Sequence, residues 1–414
     1  MTYGTTSDPT SDLASGDGAG EALSPSMALW APETANDPRD AYRRLREECP
    51  VVSTGDMMGT GSNGWIVSRY EDVMAALRNP EVFSSGPDAV SIGQEQRLIP
   101  LQVDPPEHVK YRRLLDPEFS PKKMAALEPD VRVLIGSLVD AFVEKNTCDF
   151  HEEVATPLPS TVFLRLMGMS QDDLPQLLQW RDNTIRPDVE PGDFDAATRI
   201  REQTGKEITE YFRNAIAEKR AHPDDALLSR IVHGQVDGRP TTDEELLGMC
   251  HLLLLAGLDT VTATLDCMVA YLAQHPDRRR QLVERPELVG NAVEELLRHE
   301  TPVMMVARAV AKDFEFGGCL MRKGDSLTPL IGAANLDERE FDDPLGVSFE
   351  RDENRHVAFG AGPHRCLGSH LARLELRVAL EEFHKRIPEY SLADGTTLSY
   401  SPGIRQANAL PLVW

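Results

Sequence analysis

FGAGPHRCLG, Phe359 to Gly368, sets three glycines, one proline and one cysteine immediately before the helical pattern SHLARLELRVALEEFHKR. Three fates are open to Cys366. A lone cysteine is most often a small buried hydrophobe. As a zinc ligand it could recruit His364 and His370, but these three lack the paired spacing of zinc modules and no fourth ligand stands near. The third fate is a thiolate bound to a haem iron. Gly360, Gly362 and Gly368 let the backbone approach a flat ligand closely. Cys366 also stands at the start of a helix, whose amides would stabilise a thiolate and lower its pKa. No CxxCH is present, so such a haem would be held by ligation, ion pairs and burial rather than by covalent attachment.

Further from the loop, composition narrows the setting. The chain has 414 residues, 41% of them hydrophobic and 27% charged, which allows one large domain or two. A net charge of −24 argues against nucleic-acid binding, because a phosphate backbone needs a basic surface. The longest apolar run, Leu246 to Leu258, falls short of the roughly 18 to 20 residues a membrane span needs, so it reads as a buried core helix. The six cysteines are scattered without close pairs, which suggests neither a disulfide framework nor a redox pair and points to a reducing cytoplasm. Residues 1–26 are rich in Ser, Thr, Gly and Asp and lack a secretory signature. They are expected to be a disordered tail before one domain over 27–414.

From Asp37 onward helical patterns alternate with Pro/Gly breaks, and strand-like runs are few: GWIVSR, VARAVAKDFEFGG and ALPLVW. The predicted class is mainly α with a minor β part. The most telling helix is RPTTDEELLGMCHLLLLAGLDTVTATLDCMVAYLAQHPD. Thr242 and Glu245 form a capping box, and HPD closes a helix of roughly 50 Å at 1.5 Å per residue. Its middle is apolar on every side, yet it carries Gly257, Asp259, Thr260, Thr262 and Thr264. A glycine there costs about 1 kcal/mol against alanine, and a buried carboxylate costs more unless paired. A close helix crossing would explain the glycine, and bonds to carbonyls one turn back would explain the threonines. Packing asks for no Asp259, and a local inconsistency of this kind marks a site.

These residues together resemble the cytochrome P450 family. Phe359, Gly362, Cys366 and Gly368 stand in its F-x-x-G-x-x-x-C-x-G pattern, AGLDT (Ala256 to Thr260) in its oxygen-activation stretch, and Glu295 and Arg298 in its E-x-x-R pair. Arg351 resembles the arginine that completes that network. The likeness runs from about residue 28 to the C-terminus. VDPPEHVKYRRLL, IRPD, NLDERE and ALPLVW are similar to the camphor-hydroxylase branch of soluble bacterial enzymes, from which Gln96 departs by replacing a substrate-binding tyrosine.

The resemblance implies a P450 fold, with a long central helix over a haem b and the thiolate loop beneath. Cys366 is then the iron ligand, flanked by Phe359 and Gly360. His108, Arg112, Arg308 and His364 contact the propionates. Asp259 and Thr260 lie above the iron, where Gly257 leaves a groove for oxygen. Thr260 donates a hydrogen bond to dioxygen, and Asp259, held by Arg186, relays protons. Leu252, Leu255, Ala256, Met304, Met305 and Ile404 line the substrate pocket.

The implied activity is insertion of one oxygen atom from O2 into an apolar molecule such as a terpenoid or steroid. The alternative, a noncatalytic haem protein that binds ligand or senses gas, would need neither Asp259 nor Thr260. No flavin or iron–sulfur domain follows Trp414, so electrons are expected from a [2Fe-2S] ferredoxin fed by a ferredoxin reductase. Lys110, Arg112, Arg113 and Arg365 would form its basic docking island on an acidic, monomeric protein.

Overall fold

The capping box forms as read. Thr242 Oγ1 accepts the Glu245 amide at 3.3 Å, and Glu245 Oε2 accepts the Thr242 amide at 2.8 Å. They start a central helix, Asp243–Gln274, that His275 and Pro276 end. Glu245 also takes hydrogen bonds from Arg239 (2.6 and 2.9 Å) and the Tyr111 hydroxyl (2.9 Å). The computed structural model describes Leu29, residues 32–56, 61–190 and 192–414; the tail expected over 1–26 lies outside the described residues.

Among the described residues the central helix alone is long and apolar enough to cross a bilayer, but most of that surface is covered by the protein itself. Its N-terminal half, up to Leu258, packs in one apolar cluster with helices Pro157–Met167 and Phe194–Ala221. Its C-terminal half, from Val261, packs in another with helices Glu128–Asp140, Val289–Glu300 and Ser369–Arg386. Asp259 and Thr260 fall in the seam between the two clusters. A polar pair is therefore placed where neither apolar face has to accommodate it.

The β part is small, as expected. A five-stranded sheet runs in the order Val51–Gly55, Gly64–Val67, Ser326–Pro329, Arg308–Val310, Phe83–Ser84, with only the second and third strands parallel. Leu327 pairs with Arg308, which fixes that arginine at the sheet's inner end. The C-terminal strand Pro411–Val413 lies between Ser391–Leu392 and Thr147–Asp149. The loop before it is thereby carried back against the central helix, where the Cys267 thiol donates to Arg405 O at 3.1 Å.

Candidate active site

The cysteine loop docks against the sheet side, with Val357 and Ala361 in an apolar cluster with Leu77 and Leu327. Gly360 (φ +67°) and Gly362 (φ +66°) lie in the left-handed region. A Cβ on Gly362 would stand 2.4 Å from Leu77 O, so its glycine is required twice over. Gly368 needs no such freedom: its φ is −81° and open space surrounds it. The Cys366 amide donates to Phe359 O at 2.8 Å, closing the loop, and Arg373 lies over the Phe359 ring at 4.4 Å.

Cys366 has accessible surface, yet burial pushes its thiol pKa up. Both hold if the sulfur faces an internal hollow rather than the outside. A hydrogen bond from the Gly368 amide and the charges of Arg112, Arg365 and Arg373 favour the thiolate, but desolvation outweighs them. The amide at the helix start acts in the expected direction, but burial opposes it more strongly. A thiolate here needs a cation of its own, which a haem iron supplies. His370 shows no bond to His364 or Cys366. Among the described residues no three His, Cys, Asp or Glu side chains gather as a metal cluster.

Behind the loop the Glu295 network forms as the motif implies. Arg298 donates to both Glu295 oxygens (2.9 and 2.8 Å), and Arg351 Nε lies 3.0 Å from Glu295 Oε2. Arg298 also holds the carbonyls of Asn335, Pro344 and Gly346. Both members of the first pair are fully buried and every donor of Arg298 is satisfied, the condition under which a buried ion pair is tolerated.

The four residues assigned to the propionates converge; the two histidines lack partners there, while Arg112 is paired with Asp116 at 2.6 Å. The His108 and His364 rings lie 4.5 Å apart, and the Nε2 of each is buried without a partner. Arg308 is buried with one bond, to its neighbour's Ala307 O, and burial pulls its pKa down to about 10. Burial, with His108 and Arg308 beside it, likewise pulls His364 down to about 4. Arg112 bridges this nest to the loop through Arg365 O at 2.8 Å. Buried donors left unpaired cost roughly 1 to 3 kcal/mol each. Two carboxylates would satisfy them, so the residues fit haem b. The nest also contains Asp104, which the sequence reading missed. It accepts from the Ser84 hydroxyl and the Ser85 amide and stands 3.7 Å from His364 Nε2, beyond hydrogen-bond reach.

On the central helix, Asp259 is fully buried and gripped by Arg186 at 2.7 and 2.9 Å; Arg181 Nε lies 3.9 Å away. Thr260 Oγ1 donates to Ala256 O at 3.0 Å, and Thr262 and Thr264 likewise bond one turn back. A Cβ on Gly257 would meet the Phe163 ring at 2.5 Å, so the glycine admits the neighbouring helix Pro157–Met167, the close crossing the sequence also allowed. Ala256 is exposed although it sits mid-helix, with Leu252, Gly257 and Thr260 partly exposed beside it.

Leu252 and Leu255 lie outside the apolar clusters; Leu252 stands four residues, one turn, before Ala256 and so on its side of the helix, whereas Leu255 is buried. Met304 is corrected: it is 3% exposed and packed with Tyr42, Leu45 and Ile66 as core. Met305 is only partly buried against that cluster. Ile404, partly buried, bridges to Val303.

Comparison with known proteins bears on the fold and the family. The cytochrome P450 family model matches residues 28–289 and 281–386. The probable cytochrome P450 127A1 of Sinorhizobium fredii is 34% identical, over 90% of this chain and 88% of that protein. Steroid C26-monooxygenase of Mycolicibacterium smegmatis is 32% identical, over 91% and 92%. The structure of CYP109E1 from Bacillus megaterium in complex with testosterone aligns at a TM-score of 0.86 and 28% identity, over 92% of this chain and 99% of that one. Likeness at this identity and coverage reaches the family itself: the chain belongs to the cytochrome P450 monooxygenases, and its cofactor is haem b.

Proposed function

We propose that residues 27–414 act as one catalytic unit, a cytoplasmic monomer that hydroxylates or epoxidises a hydrophobic small molecule of terpenoid or steroid kind. Electrons come from a [2Fe-2S] ferredoxin fed by a ferredoxin reductase. When bound, the haem supplies an iron that takes O2 and two electrons and, with two protons, puts one oxygen atom in the product and the other in water. Cys366 would ligate it, and His108, Arg112, Arg308 and His364 would hold its carboxylates.

The observation that carries this reading is a fully buried acid, Asp259, held by Arg186 next to Thr260. A carboxylate bound on both oxygens carries no proton inward; released from Arg186, it can take one up and pass it toward the Thr260 hydroxyl. A protein that only bound ligand would have no use for a buried acid on a releasable cation.

Leu252, Leu255, Ala256, Met305 and Ile404 offer an apolar wall; one related protein is named a steroid C26-monooxygenase and another was solved in complex with testosterone. The likeness to the camphor branch is kept for the arginine-held acid. Camphor itself is not the proposed substrate, because Gln96, which accepts from Thr209 Oγ1 at 3.4 Å, stands where that branch has a substrate-binding tyrosine. Titrating steroids, terpenoids and fatty acids into the ferric enzyme tests the class. A steroid or terpenoid should drive the low-spin to high-spin change, whereas a response to fatty acids alone overturns it. Thr260→Ala should still bind and accept electrons but divert them to peroxide; unchanged coupling of NAD(P)H use to product removes the proton-delivery role.

A further inference from the structure

Arg186 has a second partner that no motif announces. Its Nη2 donates to Gln406 Oε1 at 2.6 Å, and Gln406 Nε2 lies 3.4 Å from His151 Nε2. His151 Nδ1 in turn stands 2.8 Å from Asp266 Oδ2. Asp266 is fully buried on the central helix, two turns beyond Asp259, and its other oxygen has no partner. One chain of contacts therefore runs from Asp266 through His151, Gln406 and Arg186 to Asp259. His151 opens a single wide turn, His151–Ala155, in which the Thr156 amide bonds back five residues to His151 O; such turns often lie at functional sites.

Donor and acceptor parity fixes the sense of each link. Arg186 can only donate, so Gln406 must present its oxygen to Arg186 and its NH2 to His151. His151 Nε2 must then be the unprotonated nitrogen, with Nδ1–H donating to Asp266. We propose that His151, oriented by Asp266, acts through Gln406 as a positioning residue that sets how firmly Arg186 grips Asp259. A proton on His151 Nε2 makes that nitrogen a donor facing the Gln406 NH2. The amide must turn over, its NH2 then meets Arg186, and Arg186 loses an acceptor and loosens its hold. This rests on the reading of Asp259 as a proton carrier that must leave Arg186.

The groups around His151 make that proton accessible. Burial disfavours the imidazolium, but Asp266, then Glu152 and Asp149, outweigh it and raise the pKa above the ordinary imidazole value. Glu152 is exposed and 3.9 Å from Nε2, giving a route from solvent. Asp149 accepts the His151 amide at 3.1 Å and the Leu410 amide at 3.0 Å, and Glu153 turns away to Lys145. The helices packed on this turn, Glu128–Asp140 and Pro157–Met167, contribute Val139, Leu158 and Val162 to the same apolar cluster. As pH falls through the His151 value, protonation rises and the grip on Asp259 weakens.

The test is nitrogen NMR of the diamagnetic ferrous carbonyl holoenzyme labelled at histidine and at glutamine side chains. The His151 signal is assigned by its response to the surface change Glu152→Gln. At alkaline pH the proton should sit on Nδ1. On acidification His151 should titrate above the free imidazole value, and the Gln406 amide signals should shift with the same midpoint. Turnover should rise at least twofold through that midpoint, and His151→Gln, or Gln406→Glu, should flatten the step. A proton on Nε2 at alkaline pH, or Gln406 signals indifferent to the His151 titration, overturns the proposal. These signals depend on neither dioxygen nor product, so they stand or fall independently of the Thr260→Ala result.

Discussion

At the scale of single residues, chemistry that demands a particular side chain could be read directly, and direction could not. Glu295 pairs with Arg298, and Asp259 with Arg186, as buried carboxylates require. Met304 went astray. A glycine's lack of Cβ is visible in a sequence, but whether Phe163 or a ligand fills the space is not. A buried methionine reads alike in core and pocket. The loop glycines give a graded prediction. Gly360→Ala meets only a distant His364 O at 3.9 Å and costs the left-handed backbone penalty, about 1 kcal/mol. Gly362→Ala also drives a Cβ into Leu77 O, so thermal unfolding and haem retention should both suffer more than in Gly360→Ala. Equal loss in the two variants would contradict the steric account.

At the scale of elements, the central helix was legible from its capping box to its final HPD. The wide turn at His151 and the Gln406 contact were not, because their partners lie 115 and 255 residues away and no spacing rule joins them. The thiolate helix is held by pairs across elements. Glu294 accepts Arg373 at 2.7 and 2.8 Å and His356 at 3.0 Å. Burial would raise the Glu294 pKa, but these partners outweigh it and pull it down to about 2. The sign follows: the pairing stabilises fully above the ordinary carboxylate value and is lost as pH falls toward about 2. Glu294→Gln should therefore cost about 2 kcal/mol at neutral pH and progressively less in acid, as read by denaturant unfolding at both. A cost independent of pH would assign the effect to packing.

For the molecule as a whole, charge is the feature composition exposed most clearly. Against a net charge of −24, Arg113 and Arg365 are the exposed cations of the expected island, whereas Lys110 is engaged by Asp237 at 2.8 Å and Arg112 by Asp116 at 2.6 Å. If a ferredoxin docks there, its reduction rate should fall steeply with rising salt, and Arg113→Glu should lower it about tenfold at low ionic strength. Lys110→Gln should matter less. A salt-independent rate would move the docking site elsewhere.

The proposed chemistry requires the thiolate of Cys366 to lie under a haem. The most direct measurement is the absorbance of the dithionite-reduced holoenzyme saturated with carbon monoxide, compared with Cys366→His. The account predicts the red-shifted Soret band of a thiolate-ligated ferrous carbonyl in the wild type, moved to the shorter-wavelength position of imidazole ligation in the variant. A wild-type band already at the imidazole position would contradict it.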